Sequence, residues 1–295
     1  MKQLIAFVST ALVGLNLFLC AALPAAAMTR VIYPLGEVAH DTRYDDVIEI
    51  LKTALKKTRS THGDYLCIPS PVLMPKKRFL IELQQPTHSI DIAWNPTSEA
   101  LESELTPIRI PLRKGLLGYR IALIRREDQV RFDQVNSIED LKKFTLGQGN
   151  GWVDNAIYQA AGIMTLEAQY SQLIKMLAAQ RFDFFPRGVS EVESEYQANH
   201  LAYPELAIEN NLLLYYPFPD YFFFNHADTA LKNRIESGLR IMQKDGSFDR
   251  IFNKYNLATI QKLKLKQRRL LRLNNPTLPK KTPLNETALW FVPDM

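Results

Sequence analysis

The residues best placed to do chemistry are a glycine-rich loop and one arginine. Gly147-Gln148-Gly149-Asn150-Gly151-Trp152-Val153-Asp154 runs from a short apolar segment into a helical one. Unpaired backbone N–H groups at such a helix start attract anions, and glycines let a ligand approach the backbone. Gly149, Asn150 and Gly151 are therefore candidate ligand-binding positions, with a plain tight turn as the other reading. Trp152 is a candidate stacking platform or a packing residue. Arg187, after Phe185-Pro186, offers a planar fork for carboxylate or phosphate at the end of a strand. Its other reading is a salt bridge to Glu191 or Glu193. Trp94, Asn95 and Thr97 end an earlier strand and are candidates for an opposite wall, Trp94 serving equally as packing.

Enzyme chemistry finds little support. None of the five histidines, His40, His62, His88, His200 and His226, has metal-ligand spacing, and no G-x-S-x-G elbow occurs. Glu193 and Glu195 share a short helix, where a carboxylate pair reads as a solvated face. Cys67, in the run Tyr65–Ile68, reads as a buried inert thiol. No enzyme activity, metal or cofactor is expected.

The elements that position these residues alternate between strand and helix. Strands are expected at 30–33, 65–68, 89–94, 119–124, 144–146, 182–185, 212–216 and 221–224. Helices are expected near 42–55, 79–83, 153–161, 171–179, 189–197, 231–242 and 247–255, with Gly246 ending one and Ser247 opening the next. Such alternation defines an α/β protein with mainly parallel sheets. The pattern restarts near 127–137, and Pro217 and Pro219 break the aromatic segment 212–224, so two crossovers between two lobes are expected.

Lys2, an apolar stretch from Leu4 to Leu23 and Ala25-Ala26-Ala27 have the pattern of a cleavable signal peptide over residues 1–27. Export to a periplasm, with no stable membrane insertion after cleavage, is the expectation. Cys67 is then the only mature cysteine, so packing and not a disulfide must stabilise the fold. The formal charge is +5, but eight basic against two acidic residues follow Thr259; without Lys2, residues 28–258 carry −2. The basic pI belongs to the tail, which argues against a nucleic-acid partner. The tail strip Ile260, Leu263, Leu270 and Leu271 reads as a helix packing by one face or touching a membrane surface.

This layout resembles the family 3 extracellular solute-binding proteins, the periplasmic amino-acid-binding type, over Arg30–Asn256. The residues carrying the resemblance are Leu239–Tyr255, with Asp245-Gly246-Ser247 between two helices, the loop Leu146–Gly151, and Arg181-Phe182-Asp183-Phe184-Phe185. The resemblance implies a two-lobed, type II periplasmic-binding-protein-like fold. Lobe 1 would span 28–124 plus 218–258, lobe 2 would span 125–217, and 259–295 would be a basic extension. It also places an aromatic lid and polar contacts near Tyr33, Glu37 and Arg43. Two departures stand out: Ala100 falls where the family's Thr-Pro-Glu-Arg-like turn has arginine, and Phe185–Gly188 lacks the acid that takes a ligand amine. The function implied is capture of a small polar or anionic solute for an ABC permease or membrane sensor, by a monomer. The alternative is a sensory or adaptor protein with a degenerate cleft.

Overall fold

The computed structural model describes residues 28–35 and 42–293. The proposed signal segment and Glu37 lie outside the described residues.

The first lobe is built on two small sheets. β1 (Thr29–Tyr33) pairs in parallel with β2 (Tyr65–Pro69), Val31 opposite Cys67. β3 (Ala93–Pro96) and β4 (Thr106–Ile108) flank β11 (Asp220–Phe224), both antiparallel to it. Helices Asp45–Lys57, Thr229–Lys244 and Ser247–Lys262 cover them. Their apolar faces meet Val31, Trp94, Phe222 and Phe224 in one core. Gly246, at φ +73°, makes the turn between the last two helices.

The second lobe is a seven-stranded sheet with β12, β10, β5, β8, β6 and β7 as neighbours in that order and β9 paired to β5. The strands are β5 (Tyr119–Arg125), β6 (Leu146–Gly149), β7 (Thr165–Ala168), β8 (Phe184–Gly188), β9 (Leu206–Ile208), β10 (Leu212–Tyr215) and β12 (Arg269–Arg272). One face carries Ala122, Ile124, Leu146, Phe184 and Leu214; the other carries Ile121, Leu123, Phe185 and Leu213. Alternate side chains point to opposite faces, so each face buries its own apolar set.

Two boundaries differ from the sequence reading. β5 was expected in lobe 1, yet it is a central strand of the second sheet, all seven residues buried between β10 and β8. The expected basic extension is not an appendage: β12 pairs in parallel with β10, Leu271 opposite Leu214. Its leucines pack onto the sheet while Arg269 and Arg272 stay exposed, so basic residues mask a strand in the sequence. β5 and β11 also run antiparallel to their paired neighbours, because each follows a crossover from the other lobe and enters its sheet from the cleft side.

Past β12 the chain touches both lobes. The Leu273 amide donates to the Tyr215 carbonyl, and Asn275 Nδ2 to the Pro217 carbonyl at 2.9 Å. The Glu99 amide donates to the Thr277 carbonyl, and the Phe291 amide to that of Lys114.

Candidate ligand-binding cleft

The carboxyl ends of β6 and β8 and the start of β5 reach one edge of the second sheet. They face the end of β3 and the start of β11 in the first lobe. Ligands of α/β proteins sit at such strand ends. Here a cavity of about 600 Å³ lies between the lobes, with a hollow of about 320 Å³ sharing much of its lining. Arg43, Tyr44, Asp46, Lys76 and Arg113 line it from the first lobe. Trp152, Tyr170, Arg187, Glu191 and Glu195 line it from the second.

Arg113 organises the first wall. Its Nε and Nη2 donate to Asp46 at 2.6 and 2.7 Å, and Nη2 also donates to the Arg43 carbonyl at 2.8 Å. Nη1 lies 3.6 Å from Asp220. Burial disfavours its charge, but Asp46 and Asp220 outweigh it and raise its pKa. Burial raises the pKa of Asp220 against the pull of Arg113. Tyr44 packs on Trp94 at 5.4 Å, and the cationic groups of Arg43, Lys76 and Arg113 lie 5.5–5.9 Å from its ring. Cations favour that face of an aromatic ring.

The second wall carries carboxylates. Arg187 Nε and Nη2 meet Glu195 Oε1 at 2.7 and 2.5 Å, and Nη2 lies 3.2 Å from Glu191. Burial opposes ionisation of Glu191. Arg187, Arg120 and the Gly188 amide override it and hold the pKa at about 2. For Glu195 burial wins and the pKa is raised. Burial, aided by Glu195, lifts Tyr170 to about 12. Behind this wall Arg120 pairs with Asp154 at 2.8 Å, and Asp154 accepts from Tyr216 at 2.5 Å.

The candidates from sequence divide. Arg43, Asn95, Gly151, Trp152 and Arg187 reach the cleft. Tyr33 and Trp94 do not: both lie in the first-lobe core, since β3 begins at Ala93 and turns Trp94 inward. Thr97 is also buried, its hydroxyl donating to Glu102 at 2.8 Å. Gly149 seats the indole of Trp152: a Cβ there would lie 2.2 Å from the ring. The loop amides are already used, Asn150 donating to the Ala168 carbonyl and Gly151 to Glu167 Oε2. With Asp154 also at the helix start, the loop is supplied with negative charge by the protein itself.

Tyr44, Asp46, Lys76, Arg113 and Tyr170 escaped the sequence reading, which names Glu191 only as a salt-bridge partner of Arg187 and Glu195 only as part of a solvated pair. Glu191 stands three residues past β8 and supplies an acid where the strand itself has none. The signal for it was present in Arg187-Gly188-Val189-Ser190-Glu191, had the strand been extended to Gly188. Cys67 is half-buried on β2 and does not line the cleft, and burial pushes its thiol up to about 11. Among the described residues no cluster of His, Cys, Asp or Glu suits a metal, and no helix is long and apolar enough to cross a membrane.

No protein-family model and no curated protein matches the sequence. Solved structures match in fold. An ancestral arginine-binding protein bound to arginine is similar at 17% identity, covering 77% of this chain and 97% of its own, with a TM-score of 0.53. A Salmonella typhimurium periplasmic binding protein of high arginine specificity is similar at 14% identity, covering 77% and 99%, with a TM-score of 0.54. A histidine kinase sensor domain with similarity to periplasmic binding proteins is similar at 14% identity, covering 78% and 96%, with a TM-score of 0.50. The chain has the two-lobed fold of periplasmic binding proteins. At these identities the likeness is one of fold.

Proposed function

We propose that the protein is a periplasmic solute-binding protein that closes its lobes on a small polar solute carrying an anionic group. The observation that carries this reading is the opposed charge of the two walls. Arg43, Lys76 and Arg113 outnumber Asp46 and Asp220 at the first-lobe wall, which leaves it cationic. Glu191 and Glu195 against Arg187 make the second-lobe wall anionic. A solute with an acid group and a donor group fits between them, the acid towards the first lobe. Such a solute touches both lobes and so favours the closed state over the open one. Neighbours in fold that bind arginine support an amino-acid-sized solute. A transporter or membrane sensor would read the closed form.

A second reading, a sensory or adaptor protein with a degenerate cleft, draws on one observation. Arg113, Arg120 and Arg187 are all paired with carboxylates already.

Thermal melting of residues 28–295 with amino acids, dicarboxylates, sugar acids and phosphate esters tests the proposal. A solute at a hundredfold its Kd adds about 2.7 kcal/mol, which raises Tm by roughly 2–4 °C per kcal/mol. A shift with acids that is lost in Lys76→Ala supports the orientation proposed. Silence towards every compound overturns solute capture and leaves the adaptor reading.

A further inference from the structure

A guanidinium is recognised by aromatic faces above its plane and carboxylates at its edge. The second-lobe wall contains such a cage, and its occupant is the protein's own Arg187. The guanidinium carbon lies 4.8 Å from the ring centre of Trp152, 4.9 Å from that of Phe185 and 5.7 Å from that of Tyr170. Glu195 and Glu191 hold its edge. The side chain is only 8% exposed, yet it lines the cleft with Trp152, Tyr170, Glu191 and Glu195.

The fit is incomplete in one informative respect. Both Nε and Nη2 use a single oxygen of Glu195, and Arg187 makes no hydrogen bond to its buried Oε2. A side chain tethered to β8 reaches the carboxylate from one direction only. A free guanidinium can meet both oxygens side by side, the geometry that makes this pair strong. The cage therefore has more capacity for a guanidinium than its present occupant uses. Anchoring the helix Val192–Asn199 to β8 would need one carboxylate and no aromatic enclosure.

We propose that Arg187 is a specificity-determining residue: it fills a guanidinium-binding cage from within and so bars solutes with cationic side chains from the cleft. Removing it converts the second-lobe wall into a site for a small guanidinium compound. The specificity claim rests on the cleft being a solute site, whereas the cage itself does not.

The test is chemical complementation of purified Arg187→Ala with N-ethylguanidinium chloride, the missing fragment. Ethylammonium chloride and sodium chloride at equal ionic strength are the controls. The variant should melt below the wild type. Millimolar ethylguanidinium should raise its Tm by about 2 °C or more, with no such rise in the wild type or in Arg187→Ala combined with Glu195→Gln. No rise above the salt control, or an equal rise with ethylammonium or in the wild type, overturns the proposal. Should Arg187→Ala fail to fold, Arg187→Met keeps the apolar stem and takes the same comparison. Calorimetry of the wild type with L-arginine should show no binding; submillimolar binding overturns the exclusion claim. A wild type that ignores every anionic solute counts against solute capture alone, because complementation is read on the variant.

Discussion

Gly118 and Tyr216 meet backbone to backbone where the two crossovers pass. The Tyr216 amide donates to the Gly118 carbonyl at 3.2 Å, and a Cβ on Gly118 would lie 2.1 Å from the Tyr216 carbonyl oxygen. Backbone cannot swing aside as a side-chain tip does. Gly118→Ala should therefore separate the crossovers and cost about 1–3 kcal/mol. Urea denaturation gives the loss directly, and an unchanged midpoint would show that the crossovers have slack.

Gly149 and Trp152 make a similar pair with an optical readout. Gly149→Ala should lift the indole from its seat and shift the tryptophan emission. Removing the ring by Trp152→Ala should lower stability by about 3 kcal/mol, the low end for a large aromatic because the residue is partly exposed. The emission spectrum of each variant, beside its melting curve, checks this.

Arg113 neutralises two carboxylates in a nearly closed space, Asp46 and Asp220. Arg113→Met should cost about 3–5 kcal/mol, since it leaves buried charge uncompensated. Adding Asp46→Asn should restore part of the loss. Equilibrium unfolding of the single and double variants measures the coupling, and strict additivity would argue against the pairing.

Glu191 predicts the acid limb of stability. Its folded pKa is about 2, below the value of about 4.3 for an unfolded glutamate. The unfolded chain binds the proton first, so the contribution is complete above pH ~4.3 and disappears as the pH falls towards 2. Glu195, raised by burial, works in the opposite direction. Glu191→Gln should lower stability at neutral pH by about 1 kcal/mol, a small value because the side chain is 38% exposed. The gap to the wild type should close as the pH drops from 5 to 2. Melting curves across that range decide it; a constant gap would mean that Glu191 is not held ionised.

Much of the frame was legible in local pattern. The repeat from Leu231 to Met242 and the Gly246-Ser247 junction are found where their spacing puts them. The mainly apolar run at 119–124 is buried on both faces as such runs require, its Arg120 being paired with Asp154. The cleft was half legible, because Trp152 and Arg187 carry their chemistry in their residue types. Of the charged partners, only Glu191 was legible, as a salt-bridge candidate for Arg187. Asp46 and Arg113 meet across 67 positions, and nothing local to either announces the other. Glu195 reads as a solvated face because a carboxylate pair on a short polar helix is usually hydrated; β8 runs on to Gly188 and its Arg187 meets Glu195 instead. The edge strand β12 was hidden for a related reason, its apolar pair Leu270-Leu271 being enclosed by arginines.

That edge strand also bears on biogenesis. β10 lies at the rim of the sheet until residues 269–272, which follow the other strands of that sheet in the chain, pair with it. For that interval the protein carries a naked β-edge flanked by the leucines of β10. An uncovered edge of this kind recruits strands from other chains. A nonsense mutation or proteolytic cut between Asn256 and Arg269 would leave the cleft residues intact in sequence and still yield a sticky, self-associating product. The basic character of the closing strand has a second consequence here. Arginines at both of its ends make two unpaired copies repel, so the segment most exposed to mispairing is also the one that discourages it.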